Sequence, residues 1–142
     1  MASLKQRGHG WPSWKREYVM KSFTGSFIQE CKMQLLAAKT EIMNRVRNSR
    51  QEFATLDKSG GDEADQTMAL MAENDFLSAQ SRLKELLLEV EFALARIESG
   101  RYGVCEETEE QIETERLKAI PWTRLSIEGA EIRESSRRRF AK

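Results

Sequence analysis

Cysteine, histidine and proline are all scarce in this 142-residue chain, and each shortage closes a class of explanation. The two cysteines, Cys31 and Cys105, lie far apart, and Cys31 falls on an apolar helical seam, so neither a disulfide framework nor a Cys-pair motif is indicated. His9, the single histidine, sits between glycines with no orienting partner near it in sequence and is a poor candidate for a general base. A Gly-rich phosphate loop and a Ser/His/Asp set are both missing, and Cys105 without a neighbouring histidine reads as a small buried residue, not a nucleophile. The chain is not expected to be an enzyme. Net charge is also missing: 23 Lys+Arg balance 23 Asp+Glu, so no global basic field argues for nucleic-acid binding. No apolar run approaches the length of a bilayer span, and residues 1–21 lack the apolar core of a signal peptide. A cytoplasmic protein without a membrane partner is expected.

What the chain does have is charge and helical periodicity. Charged residues make up 32% and hydrophobic ones 39%, with only two prolines, a composition that suits exposed helices with narrow apolar seams. From about Ser22, Ile28, Cys31, Leu35, Ala38, Ile42, Val46, Phe53 and Leu56 recur at three- and four-residue steps, with a polar slot at Ser49. The pattern resumes as Ala69, Ala72, Phe76, Ala79, Leu83, Leu86, Val90, Ala93 and Ile97, and Ser99-Gly100 should end it. Between the two runs lies Asp57-Lys58-Ser59-Gly60-Gly61-Asp62-Glu63-Ala64-Asp65. The paired glycines allow the chain to reverse, and Asp62 is placed to cap the next helix. Two arms on the order of 35 residues joined by so short a turn must run antiparallel, as a rod roughly 50 Å long with an acidic tip.

The remaining segments are less regular. Residues 1–21 carry Trp11, Trp14 and Tyr18, aromatics expected to dock on the protein's own globular end. Residues 100–121 break the helical period, and a final short helix is expected over 127–140, ending in the basic run Arg137-Arg138-Arg139-Phe140-Ala141-Lys142. That run reads as a solvated charged end, with contact to an acidic or nucleic-acid partner as the lesser reading. The predicted class is therefore mainly α, divided into an N-terminal segment (1–21), a coiled-coil hairpin (22–99, tip 57–65) and a small globular part with a C-terminal helix (100–142).

The run Ala95-Arg96-Ile97-Glu98-Ser99-Gly100-Arg101-Tyr102-Gly103-Val104-Cys105-Glu106, with Ile112 and then Arg116-Leu117-Lys118-Ala119-Ile120-Pro121, resembles the DksA/TraR family of RNA polymerase-binding regulators. Asp62-Glu63-Ala64-Asp65-Gln66-Thr67 is similar to that family's Asp-x-x-Asp-x-Ala coiled-coil tip, with Thr67 in place of the alanine. The resemblance covers roughly residues 22–134. It implies a zinc-finger-like domain with four cysteine ligands, yet here only Cys105 stands at such a position, and Thr108, Ser126 and Gly129 occupy the other three. One thiolate cannot make a four-coordinate structural zinc site, so no metal is expected. Tyr102, Ile112, Leu117, Trp122, Leu125 and Ile127 are the candidates for a core that compensates, with Trp122 filling volume beside the lost ligands.

The resemblance further implies that the hairpin enters the secondary channel of bacterial RNA polymerase as a monomer, without sequence-specific DNA contact. There it would destabilise promoter open complexes, with repression of ribosomal RNA promoters as in the stringent response. Asp62 and Asp65 would then bring negative charge to basic channel elements or catalytic Mg²⁺. Capping and the helix macrodipole would explain the same two carboxylates, and Asp65 is the sharper functional candidate because Asp62 is suited to the cap. Arg82 falls where the family carries an arginine linked to the alarmone ppGpp. Glu89 falls where a lysine is expected, and a carboxylate there would repel a polyphosphate, so at most partial cooperation with ppGpp is implied. Two other classes fit a tipped hairpin: a Gre-type transcript-cleavage accessory factor, whose tip would hold a second Mg²⁺, and a coiled-coil scaffold with no polymerase activity.

Overall fold

The computed structural model describes residues 23–56 and 62–140. The N-terminal aromatics and His9, the residues 57–61 of the turn, and Ala141 and Lys142 lie outside the described residues. Within them are four helices: α1 (Gly25–Thr55), α2 (Glu63–Glu98), α3 (Thr114–Ala119) and α4 (Ile127–Phe140).

Each long helix begins and ends on a local signal. The Thr24 hydroxyl accepts the Phe27 amide at 3.2 Å and opens α1 at Gly25, three residues after the start that the periodicity suggests. The Asp62 carboxylate accepts the Asp65 amide at 3.0 Å to open α2, while Glu63 and Asp65 place negative charge in its first turn. At the other end Gly100 takes a left-handed φ of 74°. This lets the Gly100 amide reach the Ile97 carbonyl at 3.2 Å and the Arg101 amide reach the Arg96 carbonyl at 2.8 Å, which closes the last turn.

α1 and α2 pack against each other along the expected seam, with Ile28, Cys31, Leu35 and Ile42 of one arm and Val90 and Ala93 of the other buried. Burial of a side chain such as Leu35, which is fully enclosed, stabilises the hairpin by about 1.5–3 kcal/mol. The seam does not reach the tip. Leu56 is the α1 C-cap residue in extended backbone and is 54% exposed, and every residue from 62 to 75, Ala69 and Ala72 among them, is exposed. Alanine side chains are too short to bridge the two arms once Leu56 has left the helix. Among the described residues the outermost ring pairing is the Phe53–Phe76 stack, with ring centroids 4.2 Å apart and planes within 5°.

The small domain does not build a core of its own. Tyr102, Cys105, Ile112 and Leu117 join Phe23, Ile28, Cys31, Leu35 and Val90 in one cluster, so the base of the hairpin completes the domain's apolar core. Tyr102 is enclosed, and its hydroxyl donates to the Pro121 carbonyl at 2.7 Å. Burial and a hydrogen bond with Cys31 both push the Tyr102 phenol strongly up, and burial likewise raises the Cys31 thiol. Two expectations need correction. Ile127, the first residue of α4, is 52% exposed and points away from the core. Trp122 is only half-buried, packed on the edge of the cluster. The short helix α3 interrupts a stretch expected to be irregular, because six residues are too few to show a 3.6-residue period.

Candidate functional site

Two places carry the residues singled out from sequence, and the hairpin separates them. At the tip, Asp62 is committed to the cap of α2. The Asp65 carboxylate is exposed and has no partner among the described residues. Thr67 directs its hydroxyl back to the Glu63 carbonyl at 3.0 Å, so the hydroxyl is satisfied within the helix and only a methyl is added at the surface. Sequence reasoning passed over the apolar side chains beside these acids: Met68, Leu70 and Met71 are 68%, 62% and 61% exposed. Their exposure follows from the open end of the seam, which periodicity alone does not reveal. Arg82 is exposed on α2, about 25 Å along the helix from Asp65 at 1.5 Å per residue, and does not belong to the tip.

At the base, the four positions Cys105, Thr108, Ser126 and Gly129 converge. Cys105 lies in a tight turn bridged by Val104 and Gln111, in which the Cys105 amide meets the Glu110 carbonyl at 2.8 Å and Glu109 adopts φ 58°. Ser126 caps the first turn of α4 through its hydroxyl, which accepts the Gly129 amide at 3.0 Å. A Cβ on Gly129 would collide with the Cys105 sulfur, so glycine is what allows the thiol to sit against α4. Burial pushes the Cys105 thiol up, but hydrogen bonds with the side chains and backbone of Ser126 and Thr108 outweigh it and bring the value down to about 7. The pocket is thus closed by the sulfur itself, two hydroxyls and a missing side chain. Such a donor set does not fit a structural zinc ion: one thiolate is present, a hydroxyl is a poor ligand, and Gly129 offers no ligand. Among the described residues no cluster of three or more His, Cys, Asp or Glu could hold a metal.

The loop that carries the second half of this pocket is held by hydrogen bonds to its carbonyls. The Tyr102 hydroxyl takes Pro121 at 2.7 Å, Arg96 takes Trp122 and Thr123 at 3.2 and 3.4 Å, the Glu106 amide takes Arg124 at 3.0 Å, and Arg116 takes Leu125 at 2.8 Å. Each carbonyl from 121 to 125 is therefore satisfied by a donor from outside the loop, Arg96 from the hairpin and the others from the small domain. Burial lowers Arg96, and nearby Arg124 lowers it further, yet the two carbonyls it binds give its proton-rich fork a use in a half-buried place. Glu89 is not a free carboxylate. It forms a bidentate pair with Arg124 at 2.7 and 2.8 Å, a partner that sequence reasoning did not find because the two lie 35 positions apart.

Residues 100–135 match the family described as the prokaryotic dksA/traR C4-type zinc finger. The chain is 37% identical over 114 residues to the RNA polymerase-binding transcription factor DksA of Caulobacter vibrioides, covering 78% of each. It is 33% identical over 107 residues to an uncharacterized protein of Aquifex aeolicus, covering 73% of this chain and 74% of that one. Among solved structures it is similar to transcription factor DksA2 from Pseudomonas aeruginosa, with a TM-score of 0.72 at 31% identity over 80% of this chain and 88% of that one.

Proposed function

Since the chain belongs to the DksA/TraR family, we propose that it regulates transcription by binding bacterial RNA polymerase, with the hairpin in the secondary channel and the tip near the active site. The observation that carries this reading is the division of labour at the tip. Asp62 spends its carboxylate on the cap, which leaves Asp65 exposed on a rigid first turn at the end of two arms of 31 and 36 residues. A carboxylate presented on so long a support can approach basic channel residues or the Mg²⁺ of the polymerase. The uncovered Met68, Leu70 and Met71 supply apolar contact beside it.

In this reading the protein shifts the stability of promoter open complexes and catalyses no reaction of its own. It acts as a monomer in the cytoplasm and reads no DNA sequence. Zinc is not required, because the shared core and the carbonyl-bonded loop hold the small domain. Cooperation with ppGpp is at most partial, because Glu89, engaged with Arg124, stands where the family carries a lysine, so a cation that a polyphosphate would bind is missing.

The test is the lifetime of open complexes on a ribosomal RNA promoter, with wild-type protein in chelator and with Asp65→Asn, each with and without ppGpp. A lifetime shortened by the wild type, unchanged by chelator or ppGpp and restored by Asp65→Asn is expected. No change with the wild type would sink the proposal, and RNA hydrolysis lost in Asp65→Asn would point to a cleavage accessory factor.

A further inference from the structure

Glu89 sits on α2 beside Val90 of the shared core, and Arg124 sits in the loop between α3 and α4. The Arg124 Nε donates to Glu89 Oε2 at 2.8 Å and its Nη2 to Oε1 at 2.7 Å, two parallel bonds that fix direction as well as distance. The same guanidinium lies over the Phe92 ring, 5.1 Å from its centre, close to one turn along α2 from Glu89. Its remaining nitrogen faces Glu106 at 3.8 Å, and Arg133 of α4 in turn reaches Glu106 at 3.5 Å and Glu107 at 2.8 Å. Charges of alternating sign therefore run from the hairpin, through the loop and the Cys105 turn, to the last helix.

We propose that the Glu89–Arg124 pair is the positioning element that fixes the angle of the small domain on the hairpin. The apolar contacts between the two parts are non-directional, and the other side-chain bonds that cross from α2 to the loop, from Arg96 to the Trp122 and Thr123 carbonyls, are long at 3.2 and 3.4 Å, so they leave the small domain some freedom to rock on the hairpin. A bidentate fork seated on a helix face, with an aromatic ring beneath it, removes that freedom. The other long-range ion pairs of the hairpin do not share this geometry: Lys32–Glu98 and Lys39–Glu91 are single lysine contacts at 3.4 and 3.8 Å that join one arm to the other. Arginine is required at 124, since a lysine could keep the charge and the ring contact but make only one of the two bonds. For the protein's activity the consequence rests on the polymerase-binding reading: a tip deep in a pore and a domain at its mouth engage together only if the angle between them is set in advance.

The test separates the two claims. Spin labels on Ser78→Cys and Ser135→Cys, both exposed positions, report the distance from hairpin to α4, and the native Cys31 and Cys105 are buried and stay unlabelled. The expected result is a narrow distance distribution in the parent, at least twice as broad in Glu89→Gln and in Arg124→Gln, and intermediate in Arg124→Lys. Glu91→Gln, which removes the same charge from the same helix two residues away, should leave the width unchanged. Equal widths in the parent and Glu89→Gln would overturn the proposal, as would equal broadening by Glu91→Gln. With unlabelled protein, Glu89→Gln should raise the concentration for half-maximal shortening of open complexes at least threefold. A broadened distribution with no such rise would overturn the role in docking. A wild type that leaves open complexes unchanged would instead count against polymerase binding, and the distance result would stand by itself.

Discussion

Conversion of Thr108, Ser126 and Gly129 to cysteine should turn the base of this protein into a zinc site, at a cost that only the metal removes. Gly129 is the demanding position, because the volume its Cβ would enter already holds the Cys105 sulfur. Overpacking of this kind costs about 1–3 kcal/mol. Ser126→Cys also weakens the cap made by the Ser126 hydroxyl on the Gly129 amide, a further loss of about 1 kcal/mol. The metal-free triple variant should therefore be less stable by roughly 2–4 kcal/mol, which lowers the melting temperature by roughly 5–15 °C for a chain of this size. Zinc would draw four thiolates into a tetrahedron with sulfurs about 3.8 Å apart at Zn–S of about 2.3 Å. Its binding, on the order of 10 kcal/mol in structural sites, exceeds the packing cost. The assay is thermal unfolding with one equivalent of zinc and with chelator, alongside metal content by atomic absorption. One zinc per chain, with a melting temperature above the parent's in zinc and below it in chelator, is expected. A parent whose melting temperature falls in chelator, or a triple variant that takes up no zinc, would refute the argument that these four positions form one emptied metal pocket.

Four further outcomes follow from buried and half-buried polar groups. Arg96→Met should cost about 2–4 kcal/mol in urea unfolding, because it leaves the Trp122 and Thr123 carbonyls without their donor, and Tyr102→Phe should cost about 1–2 kcal/mol through the Pro121 carbonyl. Gln80 is only 5% exposed on the seam, its amide nitrogen reaches the Val46 carbonyl at a long 3.4 Å and its oxygen has no partner among the described residues. Gln80→Leu should then raise stability by about 1 kcal/mol in the same assay, and a loss of that size would show the glutamine to be needed there. The Cys105 thiol, lowered to about 7 from an ordinary value of 9.0, is an acid whose folded-state value is depressed. Its contribution is complete above pH 9 and is lost as pH falls through 7, so stability should rise by about 1–2 kcal/mol across that window and stay flat there in Cys105→Ser. A parent and variant with parallel pH profiles would contradict the low value.

Local chemistry was enough to lay out the hairpin. The spacing of Ile28, Cys31, Leu35 and Ile42 against Val90 and Ala93 defines an apolar stripe on each arm, Asp62 is a cap wherever a helix follows it, and Gly100 can leave a helix at positive φ. These are properties of residues within a turn or two of each other. The same reasoning led to the expectation that Cys105, Thr108, Ser126 and Gly129 hold no zinc, since ligand chemistry is a matter of side-chain type. Tertiary structure decided what periodicity cannot express. It stopped the seam at Phe53–Phe76, so that Ala69 and Ala72 are exposed although their spacing is correct. It set the Cys105 sulfur against Gly129, left Trp122 half-buried on the edge of the core, turned Ile127 outward, and enclosed Tyr102 between the hairpin and the loop. Above all it brought Arg124 to Glu89 across 35 positions. Charge and spacing mark each residue as polar, but only the packing of the small domain on the hairpin determines which opposite charge each one meets.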